Sequence, residues 1–273
     1  MKKNNWQLAY YAVLVALLCV IGFSAWKLYH IFTEYHEAGK TYAQVSDRVS
    51  APAESPEEED ACPITIDFDE LRAINPDVVG WIYSEDTPIN YPVLQGETNE
   101  EYIHHTIEKQ YNSSGSIFMD SFNDPALTDY NTVLYGHHMK NGSMFASIRK
   151  YSKQEYADEH PVIWYLTPER NYRLTVFAGF VDSPDSEIYR LFLDRIELEL
   201  YLDKARKRNN FVQSEEAAML GDSDIAHIMV LSTCDYSYDN ARYVLVCTYS
   251  LPTDLAPEEL EQEQTESDRK SVV

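Results

Sequence analysis

The sequence predicts a mainly β fold with added helices, a barrel or a sandwich of about eight strands. Two observations carry this prediction. Short apolar and β-branched runs recur through the middle of the chain, and turn signals such as Pro184-Asp185 and Asn141-Gly142 separate them. A third is size: 273 residues suffice for one domain with a sizeable core plus appendages, or for two small ones.

From Leu8 to Trp26 the chain reads LAYYAVLVALLCVIGFSAW without a charge. As a helix, these roughly 19 residues would span about 28 Å, close to the roughly 30 Å of hydrocarbon in a bilayer. Lys2 and Lys3 precede the run, Tyr10, Tyr11 and Trp26 sit near its ends, and Glu34 and Glu37 follow. That asymmetry predicts a cytoplasmic tail over 1–7, a membrane anchor over 8–29 and a domain outside. A cleaved signal peptide is the rival, but the run exceeds the usual apolar stretch of about 7–15 residues.

Residues 30–62 are expected to form a spacer: a helical continuation to about 50, then SAPAESPEEEDA, too acidic and Pro-rich to bury apolar surface. The folded domain is expected over 63–253. FDELRAINPD predicts a short helix stopped near Pro76. The strand candidates are VVGWIY, INYPVLQ, GSIFMD, NTVLYGH, PVIWYLT, YRLTVFAGFV, AHIMVLSTC and ARYVLVCTYS. Helices are expected at NEEYIHHTI, MFASIRKYS and Leu191 to Asn209, the last with a blurred apolar face. Residues 254–273 read as an acidic, solvated tail.

The chain carries 22 basic and 45 acidic side chains, a formal charge of -23. Such a field repels phosphate backbones and excludes a general nucleic-acid binder. Four Cys without CxxC spacing exclude a disulfide scaffold and a Cys-rich zinc site, so sulfur chemistry would rest on a single thiol.

Cys234 ends the apolar run Ile228 to Thr233, and Asp235 follows, which places the thiol where a strand emerges. Most free Cys are small buried hydrophobes, and Cys19 and Cys247 fit that reading; Cys62, beside the acidic stretch, looks incidental. A nucleophilic thiol needs a proton partner and donors for an oxyanion. Arg242 opens the next strand, and a hairpin would aim both side chains into one groove, although a lone Arg is usually a surface residue. His137 and His138 follow the strand NTVLY through Gly136, held by rigid backbone yet open to solvent. The pair has no acidic or Cys partner at metal-ligand spacing. His104 and His105 are expected on a helix surface.

Together, Tyr135-Gly136-His137-His138-Met139, Leu231-Ser232-Thr233-Cys234 and Arg242 resemble the sortases, membrane-anchored cysteine transpeptidases of Gram-positive bacteria. VVGWIYSEDTPINYPVLQG, GSIFMDSFND and NTVLYGHHMKNGSMF are similar to class B members in particular. The resemblance implies an eight-stranded sortase β-barrel with N-terminal helices and a long helix between late strands. It implies that Cys234 attacks the Thr carbonyl of an Asn-Pro-x-Thr-Asn-like sorting signal on a secreted protein. Arg242 would donate to the oxyanion and His137 would act as general acid and base. A cell-wall precursor amine of the lipid II type, or a pilin Lys, would accept the acyl group. Asn99, Ile103, Ile188, Tyr189 and Ser232 would line the peptide groove. No metal or organic cofactor is implied. The loop from Cys234 to Arg242 is shorter than in class B sequences. Two other readings are a cysteine protease with water as acceptor, which the motif order disfavours, and an adhesin whose Tyr-rich strands bind a partner, which leaves the Cys, His and Arg set unexplained.

Overall fold

A computed structural model describes residues 2–53, 61–221 and 224–250. The chain begins with a single helix, α1 (Lys2–Val49). A short antiparallel pair, β1 (Ser50–Pro52) with β2 (Ile64–Ile66), follows it. Next comes α2 (Phe68–Ile74), whose N-terminus is capped by the Asp67 carboxylate accepting from the Glu70 amide at 2.9 Å. Eight strands then form the body: β3 (Val78–Tyr83), β4 (Asn90–Leu94), β5 (Ile117–Met119), β6 (Asn131–Tyr135), β7 (Val162–Leu166), β8 (Asn171–Asp182), β9 (His227–Cys234) and β10 (Arg242–Tyr249). Helices α3 (Gln154–Glu159), α4 (Arg195–Arg208) and α5 (Glu215–Met219) lie between them.

The strands close into a barrel in the order β10-β8-β7-β3-β4-β5-β6-β9, with β9 pairing back to β10. Closure decides between barrel and sandwich, and every strand run anticipated from sequence appears in it. Two pairs are parallel, β4 with β5 and β6 with β9.

Strand alternation sends side chains to two cores. Met229, Leu231, Tyr243, Leu245 and Cys247 join the larger cluster, whereas Ile228, Val230, Val244 and Val246 join a second one beneath α4. Helix α4 buries Leu198, Tyr201, Leu202 and Ala205, a stripe at helical spacing, and leaves Ile196 and Leu200 exposed. The exposed leucine and isoleucine are what blurred its apolar face in the sequence. Much of the Tyr content is structural: Tyr102, Tyr151, Tyr165, Tyr201 and Tyr243 are fully buried, which removes them from any adhesive surface.

Two expectations change. NEEYIHHTI forms turns and an isolated bridge between His105 and Tyr111 instead of a helix, since Tyr102 and Ile107 bury separately in the barrel core. The expected spacer is folded for much of its length. Tyr42, Val45 and Val49 of α1 are buried in the larger core, and the Tyr42 hydroxyl donates to the Gly115 carbonyl at 2.7 Å. Cys62, expected to be incidental, is buried there too. The acidic run over 54–60 and the tail over 254–273 lie outside the described residues. The first part of α1 is long and apolar enough to cross a membrane, a property that anchors and signal sequences share.

Burying Val45 and Val49 contributes roughly 1.5–3 kcal/mol each. A chain beginning at Thr33 should therefore melt well above one beginning at Ala61 in calorimetry. Equal melting temperatures would show that the end of α1 adds nothing to the core.

Candidate active site

The hairpin of β9 and β10 sets Cys234 directly opposite Arg242, so both side chains leave the same face. By strand alternation this is the face of Val230 and Ser232, the outer side of the barrel. Cys234 is half-buried, as a thiol at a strand end should be. The loop joining the two strands is closed by the Asp235 amide donating to the Ala241 carbonyl at 2.8 Å, with Asn240 in a left-handed conformation at φ 60°. Arg242 Nη1 donates to the carbonyls of Asn240 and Ala241 at 3.0 and 3.2 Å, which leaves the rest of its fork to reach outward. Asp235 is buried and bonded to Ser237 and Arg149. Burial would raise its pKa, but those donors outweigh it and hold the carboxyl below the usual carboxylate range. Its charge is thus committed to the loop, and Arg242 is the cation opposite the thiol.

His137 approaches from the end of β6, which runs parallel to β9. Gly136 permits the approach, because a Cβ there would fall 2.5 Å from Ile117 Cδ1 and 2.7 Å from the Phe145 ring. His137 Nε2 lies 2.7 Å from the Ile103 carbonyl oxygen. A carbonyl only accepts, so the proton sits on Nε2 and Nδ1 carries the lone pair. Gly115 packs beneath that same carbonyl, at φ 55° and with room for no Cβ: the nearest atom would be Ile103 O at 2.2 Å. The His104 ring stacks on His137 at 5.7 Å and 13°. Burial lowers the His137 pKa, the bond to Ile103 opposes this, and His104 and Arg242 lower it further.

His138 takes the opposite tautomer. Its Nδ1 lies 2.8 Å from the Cys234 carbonyl oxygen, so Nδ1 carries the proton. The two adjacent histidines, indistinguishable by type, are therefore distinct in geometry.

The expected groove residues divide. Tyr189 donates or accepts across 2.9 Å to Ser232 and stacks on Tyr135 at 6.0 Å. Burial pushes the Tyr189 phenol up to about 12, so it stays protonated. Ser232 itself is buried, and its hydroxyl is engaged by Tyr189. Asn99 is oriented by Asp120: its Nδ2 donates to Asp120 Oδ2 at 2.8 Å, while the Ser121 amide donates to its Oδ1. Ile103 is half-buried and contributes the carbonyl that His137 uses. Ile188 is corrected: with 0% exposure it belongs to the second core, where Phe180 and Val244 also pack, and offers a peptide no surface.

Asp120 is not singled out by the sequence, and Tyr135 and Thr233 stand in the motif segments without a role of their own. The Tyr135 hydroxyl donates to Asp120 Oδ2 at 2.7 Å, and Thr233 Oγ1 donates to the Gly136 carbonyl at 2.8 Å. Asp120 had a faint signal, a carboxylate directly after the buried run Ile117-Phe118-Met119. Among the described residues there is no cluster of three His, Cys, Asp or Glu fit to hold a metal.

Residues 82–250 match the Sortase domain model. The chain is 36% identical to Sortase B of Staphylococcus aureus over 182 residues, 66% of this chain and 72% of that protein. The structure superposes on sortase B from B. anthracis with a TM-score of 0.67 at 30% identity, covering 81% of this chain and 100% of that one. It also superposes on a Staphylococcus aureus sortase B–substrate complex with a TM-score of 0.61 at 33% identity, covering 67% and 84%. The closed barrel and these matches together define the class, a cysteine transpeptidase barrel. The chain belongs to the sortase family, and its relatives at this level of identity are sortase B enzymes.

Because the unfolded His137 ring binds its proton near pH 6.5 and the folded ring only at lower pH, the stability this group contributes is present above about pH 6.5 and lost as the pH falls below. Nitrogen-15 NMR at pH 7 should show His137 neutral with the proton on Nε2 and His138 with a proton on Nδ1. A His137 midpoint at or above about 6.5 would rule out burial as the dominant influence.

Proposed function

We propose that this sortase uses Cys234 as nucleophile, His137 as general acid and base, and Arg242 as oxyanion donor. It would cleave an Asn-Pro-x-Thr-Asn-like sorting signal after Thr. The observation that carries this reading is the register of Cys234 with Arg242 on the barrel's outer face, with His137 at the end of β6, the strand that pairs parallel to β9. Sulfur attacks the Thr carbonyl as the thiol proton passes to Nδ1, and the carbonyl electrons move onto oxygen. The Arg242 fork donates to that oxyanion. A buried imidazolium with a lowered pKa is a stronger acid than an exposed one, so it readily protonates the leaving amine as the carbon–nitrogen bond breaks. The resulting thioester is then attacked by an incoming amine whose proton returns through His137, restoring the thiol.

Asn99, Ile103, Tyr189 and Ser232 would shape the peptide groove, held by Asp120 and Tyr135. The apolar part of α1 would anchor the enzyme with its N-terminus in the cytoplasm and the barrel outside. The acyl donor is then a secreted protein with a sorting signal and the acceptor a cell-wall precursor amine.

The full-length protein in detergent, mixed with peptides carrying Asn-Pro-x-Thr-Asn or Leu-Pro-x-Thr-Gly, should give an acyl adduct on Cys234 by intact mass that an added amine converts to transfer product. Cys234→Ala should abolish the adduct. His137→Ala and Arg242→Ala should each lower kcat/KM by about 10²–10³-fold or more, the scale of losing one transition-state donor. Cys247→Ser, at a fully buried thiol, should keep the chemistry. Near-wild-type transfer by any of the three site variants would sink the assignment, and hydrolysis undiverted by amine would point to a protease.

A further inference from the structure

We propose that His138 is a positioning residue that holds Cys234 in register with His137 by gripping the Cys234 main-chain carbonyl, and that it carries no proton in the reaction. The inference rests on the reading of Cys234 and His137 as the reacting pair.

The parallel pairing of β6 with β9 ends at Tyr135 opposite Ser232. Beyond that point the two chains remain joined by three successive bonds. The Gly136 amide donates to the Ser232 carbonyl at 3.1 Å, Thr233 Oγ1 to the Gly136 carbonyl at 2.8 Å, and His138 Nδ1 to the Cys234 carbonyl at 2.8 Å. The last tie reaches the nucleophile's own residue at the point where the chain passes into the exposed stretch Tyr236 to Asn240. Pairing to Arg242 restrains Cys234 from the β10 side, and His138 restrains it from the β6 side. The His138 ring is itself fixed. Tyr236 lies against it at 5.3 Å, and its backbone bridges to Met144.

Segment 136–138 therefore presents His137 and clamps Cys234 with consecutive residues. A shift of one relative to the other must break the outer bond. An Nδ1–H donates to a carbonyl without giving up its proton, so the clamp needs the donor and not an exchange of protons. The amide nitrogen of Asn occupies the place of Nδ1, whereas Gln places its nitrogen one atom further out, as Nε2 is placed.

The test measures steady-state transfer by the full-length protein, from a peptide carrying Asn-Pro-x-Thr-Asn to triglycine, together with melting temperatures. His138→Ala and His138→Gln should lose roughly 10–100-fold in kcat, the scale of about 1 Å of misplacement, with KM little changed. His138→Asn should retain most of kcat with the wild-type pH–rate profile. Wild-type kcat in His138→Gln, or an Asn variant as impaired as Gln at equal melting temperature, would overturn the proposal. So would a shifted pH profile in the Asn variant, because the ring would then be exchanging protons. Cys234→Ala and His137→Ala run alongside: if they transfer normally, the reading of the reacting pair falls, and if they are dead while His138→Gln is unaffected, only the clamp falls.

Discussion

Parallel pairing of β6 with β9 brings together two strand ends that lie 96 positions apart between His138 and Cys234. A parallel pair cannot be made by a tight turn, so everything between must serve as the crossover. Here the crossover contains α3, β7, β8, α4 and α5, and closing the barrel is what fixes the register of the two ends. With Asn131 opposite Ile228 and Tyr135 opposite Ser232, the next residues on each strand are Gly136 to His138 and Thr233 to Cys234. A slip of one residue would turn Cys234 to the other face and lose its alignment with both Arg242 and His138. The site is therefore as well defined as the barrel is closed.

Desolvation then settles the charge state that this geometry works with. His137 is covered by the stacked His104 ring on one side, and its Nε2–H is satisfied by the Ile103 carbonyl. That bond favours the charged ring, but burial outweighs it, and the nearby cation Arg242 acts in the same direction as burial. A neutral resting imidazole at His137 follows from these opposing influences.

The strands were legible because each is a short run of β-branched and aromatic residues bounded by turns, and burial on both faces made those runs nearly continuous. The proposed site residues stand out for a related reason: Cys234, His137 and Arg242 all lie where an apolar run meets a polar loop. What stayed hidden depends on contacts between distant segments. NEEYIHHTI has helical spacing, yet its backbone bonds go to Gln110, Asn112 and Ser116, a preference that no local pattern encodes. Ile188 resembles a groove residue by position, but the second core beneath α4 claims it, and that core exists only once α4 docks. His137 and His138 are alike by residue type, and what tells them apart is the carbonyl that each ring meets.

The end of α1 shows the same dependence on distant packing, and it reaches the site. Tyr42 donates to the Gly115 carbonyl and lies 2.9 Å from Ser116 Oγ, and Glu34 accepts from Ser113 and Asn112. Ser116 in turn bonds the carbonyls of His105 and Tyr102, and Gly115 packs against the Ile103 carbonyl. That carbonyl is the one His137 uses. Glu34 is followed by Tyr42, Val45 and Val49 in the core, so the final turns of the helix form a brace and not a tether. The apolar helix, the turn-rich segment over 99–116 and the histidine are thus linked by a series of buried and part-buried contacts. The position of His137 depends on α1 through Ile103 as surely as the position of Cys234 depends on β6 and β10.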